Sequence, residues 1–186
     1  MADPAAARRA RLRGIYALVR TPEEARAALD GGARAIQVRV KEALAGDVLE
    51  VARRAVDLAR GRALVLVNDR ADLALLSGAD GVHLGEEDLP VPEARRLLGP
   101  ELLVGRTCRT LEEARSAIAA GADHVGYGPI FPSRTKPLAI PPRGLDALRE
   151  VCARLGAPVV AISGIELSNV AEVARAGASC AAVVEA

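Results

Sequence analysis

Short β-branched runs alternate along the whole chain with Ala/Leu/Arg-rich stretches of helical character, the pattern of successive parallel βα units. Eight runs read as strands: GIYALV from Gly14, AIQVRV from Ala35, ALVLVN from Ala63, GVHLG from Gly81, LLVGRT from Leu102, HVGYGPI from His124, PVVAIS from Pro158 and AAVVEA from Ala181. The stretches between them carry start and stop signals. In TPEEARAALDGG, Thr21 is a capping residue, Pro22 suits a first helical turn and the glycines end the helix. TLEEARSAIAAGAD repeats this grammar with Thr110 and Gly121, and LSNVAEVARAGAS repeats it with Ser168 and Gly177. Three helices close in a GGA or AGA turn that leads into the next strand, so helix, tight turn and strand recur as one unit. Eight such units predict a closed (β/α)8 TIM barrel. The competing architecture, an open doubly wound sheet, calls for GxGxxG after the first strand, where this chain has Thr21–Pro22 instead.

Length and composition narrow this picture. The 186 residues suit one well-buried domain spanning 1–186, with 1–13 as an N-terminal helix or arm. With 51% hydrophobic but only 2% aromatic residues, the interior must be filled by Ala, Val, Leu and Ile, the residues of packed barrel layers. The sequence ends at Ala186 with the eighth run, so the barrel is expected to lack its final helix. The strand face left bare is expected to be covered by the N-terminal helix or by a partner subunit, which makes a homodimer an expectation.

Charge and cysteines exclude several classes of function. Basic and acidic residues number 25 and 24, so there is no overall field to attract nucleic acid or an acidic membrane surface, and any anion site must be local. Arg8, Arg9, Arg11 and Arg13 read as the solvated face of a first helix rather than a nucleic-acid arm. Cys108, Cys152 and Cys180 have neither zinc-site nor disulfide-framework spacing. The opening MADPAAARRARLRG has no apolar signal region, and no stretch of about 18 apolar residues occurs. The expected location is a reducing cytoplasm.

In a barrel, chemistry sits where strands end, and the polar residues there form a pattern. The second strand ends QVRVK, setting Gln37, Arg39 and Lys41 at alternate positions and so on one side, with two cations suited to an anion. Asn68 and Asp69 follow the third strand, and Glu86, Glu87 and Asp88 follow the fourth. Carboxylates on neighbouring strand ends suit magnesium, which commonly uses one or two of them together with substrate phosphates. The structural alternative is that Asp69 pairs with an arginine and Asp88 caps the next helix. His83 alternates with apolar neighbours and reads as a core or hydrogen-bonded histidine. The fifth strand ends GRTCRT, and the sixth runs into GPIFPSRTK, whose Ser133, Arg134, Thr135 and Lys136 suit phosphoryl oxygens. After the seventh strand, Ser163–Gly164 lets backbone amides approach an anion.

Taken in order, VNDRADLALLSGADGVHLGEEDLP, GADHVGYGPIFPSRTK and PVVAISGI resemble the thiamine phosphate synthase (thiamine-phosphate pyrophosphorylase) and thiazole tautomerase family over nearly the whole chain. The resemblance implies a reaction in which a pyrimidine methyl diphosphate is joined to a thiazole phosphate, releasing pyrophosphate with the help of Mg2+. It implies that Gln37, Arg39, Lys41 and Asn68 hold the pyrimidine diphosphate, that Asp69 and Asp88 bind the metal, and that Thr107 meets the diphosphate. Lys136 would act on the leaving group, and Ser133, Thr135 and Gly164 would hold the thiazole phosphate. Arg39, Lys41 and Lys136 are thereby the candidate catalytic cations.

The chain also departs from the family's pattern. Glu185 stands where a serine usually helps bind thiazole phosphate, Arg109 replaces a common histidine, Ser163 replaces a glycine, and Val40 replaces an acidic residue. A diverged paralogue that binds a phosphorylated small molecule without synthase chemistry is one alternative reading. A thiazole tautomerase-like isomerase is another, against which the loss of the histidine and the presence of the aspartate pair both count.

Overall fold

The computed structural model describes residues 5–132 and 140–184. Its strands are β1 (Gly14–Val19), β2 (Ala35–Val38), β3 (Leu64–Asn68), β4 (Gly81–Leu84), β5 (Leu103–Cys108), β6 (His124–Tyr127), β7 (Val159–Ala161) and β8 (Cys180–Val183). They form a closed barrel in chain order, each parallel to its neighbours, with β8 returning to β1. The helices are α1 (Ala6–Ala10), α2 (Pro22–Asp30), α3 (Ala45–Ala59), α4 (Ala71–Ser77), α5 (Val91–Leu98), α6 (Leu111–Ala119), α7 (Gly144–Leu155) and α8 (Val170–Arg175). The expected (β/α)8 barrel is therefore the observed one, and among the described residues no helix follows β8.

Alternation along the strands produces two shells. Tyr16, Ala35, Leu64, Leu66, Leu103, Val160, Cys180 and Ala182 fill the interior, while their neighbours such as Ile36, Val65, Val67, Val82 and Val104 point outward to the helices. Those helices meet the barrel largely through alanines, among them Ala25, Ala52, Ala55, Ala74, Ala94 and Ala114, all fully buried. Small side chains on both surfaces allow close approach, which is how a chain with so few aromatic residues packs densely.

Thr21 and Thr110 cap their helices as read, and each is followed three residues later by a glutamate. The Thr21 hydroxyl accepts from the Glu24 N–H at 3.2 Å and the Glu24 carboxylate accepts from the Arg20 N–H at 2.7 Å. Thr110 and Glu113 repeat both contacts at 3.1 and 2.6 Å. Each pair satisfies one amide that the first helical turn leaves without a partner and the amide of the residue before the cap. Ser168, by contrast, does not start a helix: α8 begins after Asn169, whose side-chain oxygen accepts from the Glu166 N–H at 2.9 Å and shapes the preceding turn. The second strand is also shorter than its apolar run. Arg39 still donates its N–H to Val19 at 2.8 Å, but the sheet ends at Val38 and the chain turns through Glu42 at φ +61°.

The N-terminal segment lies across the N-terminal end of the barrel. Ala5 and Leu12 are buried against the interior layer of Tyr16, Leu64 and Leu103. Arg8 pairs with Asp80 at 3.2 Å and donates to the Glu101 carbonyl at 2.9 Å, while Arg9 pairs with Asp123 at 2.8 Å. These two arginines are thus anchors rather than a solvated face. The same aspartates sit just before β4 and β6, where Asp80 accepts from the Val65 N–H and Asp123 from the Val104 N–H, at 2.9 and 2.8 Å. Ala181, on the outer face of β8, is buried against the outer core.

Candidate active site at the C-terminal rim

Because all eight strands run the same way, every polar residue placed at a strand end by its sequence arrives on one rim. Gln37 lies one residue before the end of β2, Asn68 ends β3, Asp69 follows it, and Thr107 lies one residue before the end of β5. Asp88 stands in the loop after β4, and Gly164 in the loop after β7. Ser133, Thr135, Lys136 and Glu185 lie outside the described residues.

Asp69 is held at φ +64° and donates its N–H to the His83 carbonyl at 2.8 Å, which ties the end of β3 to β4. Its carboxylate receives the Lys41 ammonium at 2.9 Å. Asp88 accepts from the Gly85 N–H at 2.6 Å, closing the acidic loop on itself instead of capping α5, which starts after Pro90. Lysine, not arginine, is therefore the ion-pair partner of Asp69.

The two carboxyl groups influence each other directly. Burial works to raise Asp69, yet its hydrogen bond to Asp88 and the cations of Lys41 and Arg39 hold it below the ordinary carboxylate range. Burial raises Asp88, and the hydrogen bond to the ionised Asp69 raises it further. Two carboxylates that resist simultaneous ionisation form a place for a cation. Among the described residues no cluster of three or more His, Cys, Asp or Glu is arranged to hold a metal ion. A pair of aspartates fits magnesium, which retains waters and takes remaining oxygens from a phosphorylated ligand.

The rest of the rim is positioned by neighbouring loops. The Glu86 carbonyl accepts from Arg106 at 3.1 Å and its carboxylate pairs with Arg109 at 2.6 Å, so the loop after β4 is pinned to β5. Arg109 thus takes part in holding this loop. After β6, Ile130 and Phe131 donate to the carbonyls of Ile162 and Ser163 at 3.0 and 3.2 Å. Ser163 and Gly164 follow one another at φ +76° and +67°, and a Cβ on Gly164 would lie 2.5 Å from the Pro132 carbonyl oxygen. Only glycine fits there.

Gln37 points into the barrel, where its side-chain amide donates to the Tyr16 hydroxyl at 2.8 Å. Burial pushes the Tyr16 phenol upward, so it stays protonated. His83 is buried as read, with Nε2 3.0 Å from the Thr107 hydroxyl and Nδ1 3.4 Å from Nε2 of His124. Tyr16 and His124 are site-adjacent residues that the strand-end reading missed. Their signal was present, since each occupies an inward position of an alternating strand, but an isolated polar residue in an apolar run does not announce its partner.

With this geometry in view, comparison with known proteins is informative. The family model described as thiamine monophosphate synthase matches residues 16–186. A thiamine-phosphate synthase of Anaeromyxobacter dehalogenans is 71% identical over 188 residues, covering 100% of this chain and 85% of that protein. One from Myxococcus xanthus is 52% identical, covering 83% of this chain and 71% of that protein. Among solved structures, thiamine phosphate pyrophosphorylase from Pyrococcus furiosus superposes with a TM-score of 0.84 at 38% identity, covering 95% of this chain and 87% of the other. No helix among the described residues is long and apolar enough to cross a membrane. The chain belongs to the thiamine monophosphate synthase family, and with it to the enzymes of thiamine biosynthesis.

Proposed function

We propose that the chain catalyses magnesium-dependent formation of thiamine phosphate, joining a hydroxymethylpyrimidine diphosphate to a thiazole phosphate with release of pyrophosphate. The observation that carries the magnesium dependence is the placement of Asp69 and Asp88 in the loops after the neighbouring strands β3 and β4, on a rim where the Lys41 ammonium lies 2.9 Å from Asp69. The high identity to proteins named for this synthesis over the full chain supports the reaction class.

The chemistry follows from the charges present. As the bond between the pyrimidine methylene carbon and the diphosphate oxygen breaks, negative charge accumulates on the departing diphosphate. Arg39 and Lys41 supply cationic donors for that charge, and donors preorganised toward a leaving group stabilise the transition state more than the ground state. Lys136 is the third cation assigned to the leaving group by resemblance. Mg2+, held by Asp69 and Asp88, would neutralise diphosphate oxygens. The electron-rich pyrimidine shares the positive charge left behind, and the thiazole nitrogen supplies the electron pair for the new C–N bond. No side-chain nucleophile is required, so Gln37, Asn68 and Thr107 serve to orient the diphosphate substrate, and the Gly164 loop with Ser133 and Thr135 to orient the thiazole phosphate.

The test is to incubate the purified protein with both substrates and Mg2+. Thiamine phosphate and pyrophosphate appearing in equal amounts is the expected result. Their absence, under conditions in which another family member turns over, would reject the proposal.

A further inference from the structure

Behind Thr107 the barrel interior contains an imidazole pair with a seat built for it. The rings of His83 and His124 lie with centroids 5.5 Å apart at 37°, and both are buried. Glycines on β5 and β6 make the room: a Cβ on Gly105 would come within 2.2 Å of His124 Nε2 and 2.6 Å of His83 Nδ1, and one on Gly126 within 2.9 Å of the His83 ring. From this pair His83 Nε2 reaches the Thr107 hydroxyl at 3.0 Å, while His124 Nδ1 has no hydrogen-bond partner.

We infer that His124 and His83 are positioning residues that fix the Thr107 hydroxyl as a hydrogen-bond donor to the diphosphate. This rests on the reading of the rim as the diphosphate site. Two uncharged rings joined by one hydrogen bond have only two proton orders. In one, His83 Nδ1–H donates to His124. The proton of His124 must then sit on Nδ1, leaving a buried N–H with nothing to accept it, and the Thr107 proton is drawn inward to His83 Nε2. In the other, His124 Nε2–H donates to His83 Nδ1, and His83 Nε2–H donates to Thr107. The orphan is then only a bare ring nitrogen, and orphaned buried N–H groups are the rarer and costlier defect. The second order is favoured. It occupies a lone pair of the Thr107 oxygen and leaves its hydrogen facing the half-exposed end of β5, where a phosphate oxygen can only accept.

Two measurements test this. In the 15N-histidine-labelled wild-type protein without substrate, long-range 1H–15N correlation is expected to show both rings protonated at Nε2. A proton on His83 Nδ1 would overturn the inference whatever the activity proves to be. In turnover, His83→Gln keeps a donor near the Nε2 position, whereas His83→Asn does not. The first is expected to retain kcat/KM for the pyrimidine diphosphate within a few-fold and the second to lose about 10- to 100-fold, the range of a hydrogen bond to a charged group. In a Thr107→Val background, His83→Asn is expected to cost nothing further. An equal loss in both backgrounds would show that His83 does not act through Thr107. Wild-type protein that makes no thiamine phosphate would reject the functional reading instead, and the proton order would still be decided by the NMR measurement.

Discussion

At the scale of single residues, the loop after β7 shows how backbone conformation and ligand approach are joined. Ser163 is held at φ +76°, a region that costs a side-chain-bearing residue roughly 1–2 kcal/mol and glycine little. Ser163→Gly is therefore expected to stabilise the protein by up to about 1 kcal/mol, the gain being offset by glycine's greater freedom when unfolded, as read from urea midpoints. Gly164→Ala is expected to do the reverse. Its Cβ would press on the Pro132 carbonyl and the Phe131 side chain, displacing the loop, so both stability and affinity for thiazole phosphate should fall. Thiazole phosphate titrations of the two variants separate strain from binding.

The rim positions of Asn68 and Asp69 were legible because a polar residue closing an apolar run in a parallel barrel has one destination, whereas Thr107 was singled out by the family resemblance. Buried partners were less so: the Tyr16–Gln37 and His83–His124 contacts join strands distant in sequence, and only the barrel's register brings them together.

At the scale of elements, the two helix starts capped by threonine were readable from local chemistry, whereas the start of α8 and the end of β2 were not. T-x-x-E specifies its cap within four residues, whereas β2 stops at Val38 because the chain turns away, a tertiary fact that the continuing alternation through Arg39 and Lys41 conceals. Thr110→Ala is expected to cost about 1 kcal/mol by leaving the Glu113 N–H without its partner. The anchoring of α1 was missed because arginines on a short helix look alike whether solvated or paired. Asp123 holds the Val104 N–H, Arg9 and Arg95 together at the N-terminal end of the barrel, with its side chain only 6% exposed. Asp123→Ala, which leaves two arginines without their common acceptor, is expected to cost about 3 kcal/mol by denaturant unfolding, and a change below 1 kcal/mol would show that the cluster is not stabilising.

At the scale of the whole molecule, the buried histidine pair ties stability to pH. Desolvation, then the neighbouring His83, lowers His124 from its ordinary 6.5 to about 3. Between those values the unfolded chain carries a proton that the folded chain excludes. The stabilisation is thus complete above pH 6.5 and is lost as the solution is acidified toward 3, at a slope approaching about 1.4 kcal/mol per pH unit from this residue. Burial likewise lowers His83 to about 4, so both histidines contribute to the slope between pH 7 and pH 5, and urea unfolding should show a steeper dependence in the wild type than in His124→Phe.

The barrel gathers on one rim the cations and carboxylates that its sequence distributes over the loops after β2, β3 and β4, and their joint action on a departing diphosphate is the central proposal. The direct measurement is pyrophosphate release across a magnesium titration in the wild type and in Asp69→Ala. Release that rises and saturates with magnesium in the wild type, and falls by at least about 100-fold in the variant, is the predicted result. Release independent of magnesium, or a variant that follows the wild-type curve, would contradict it.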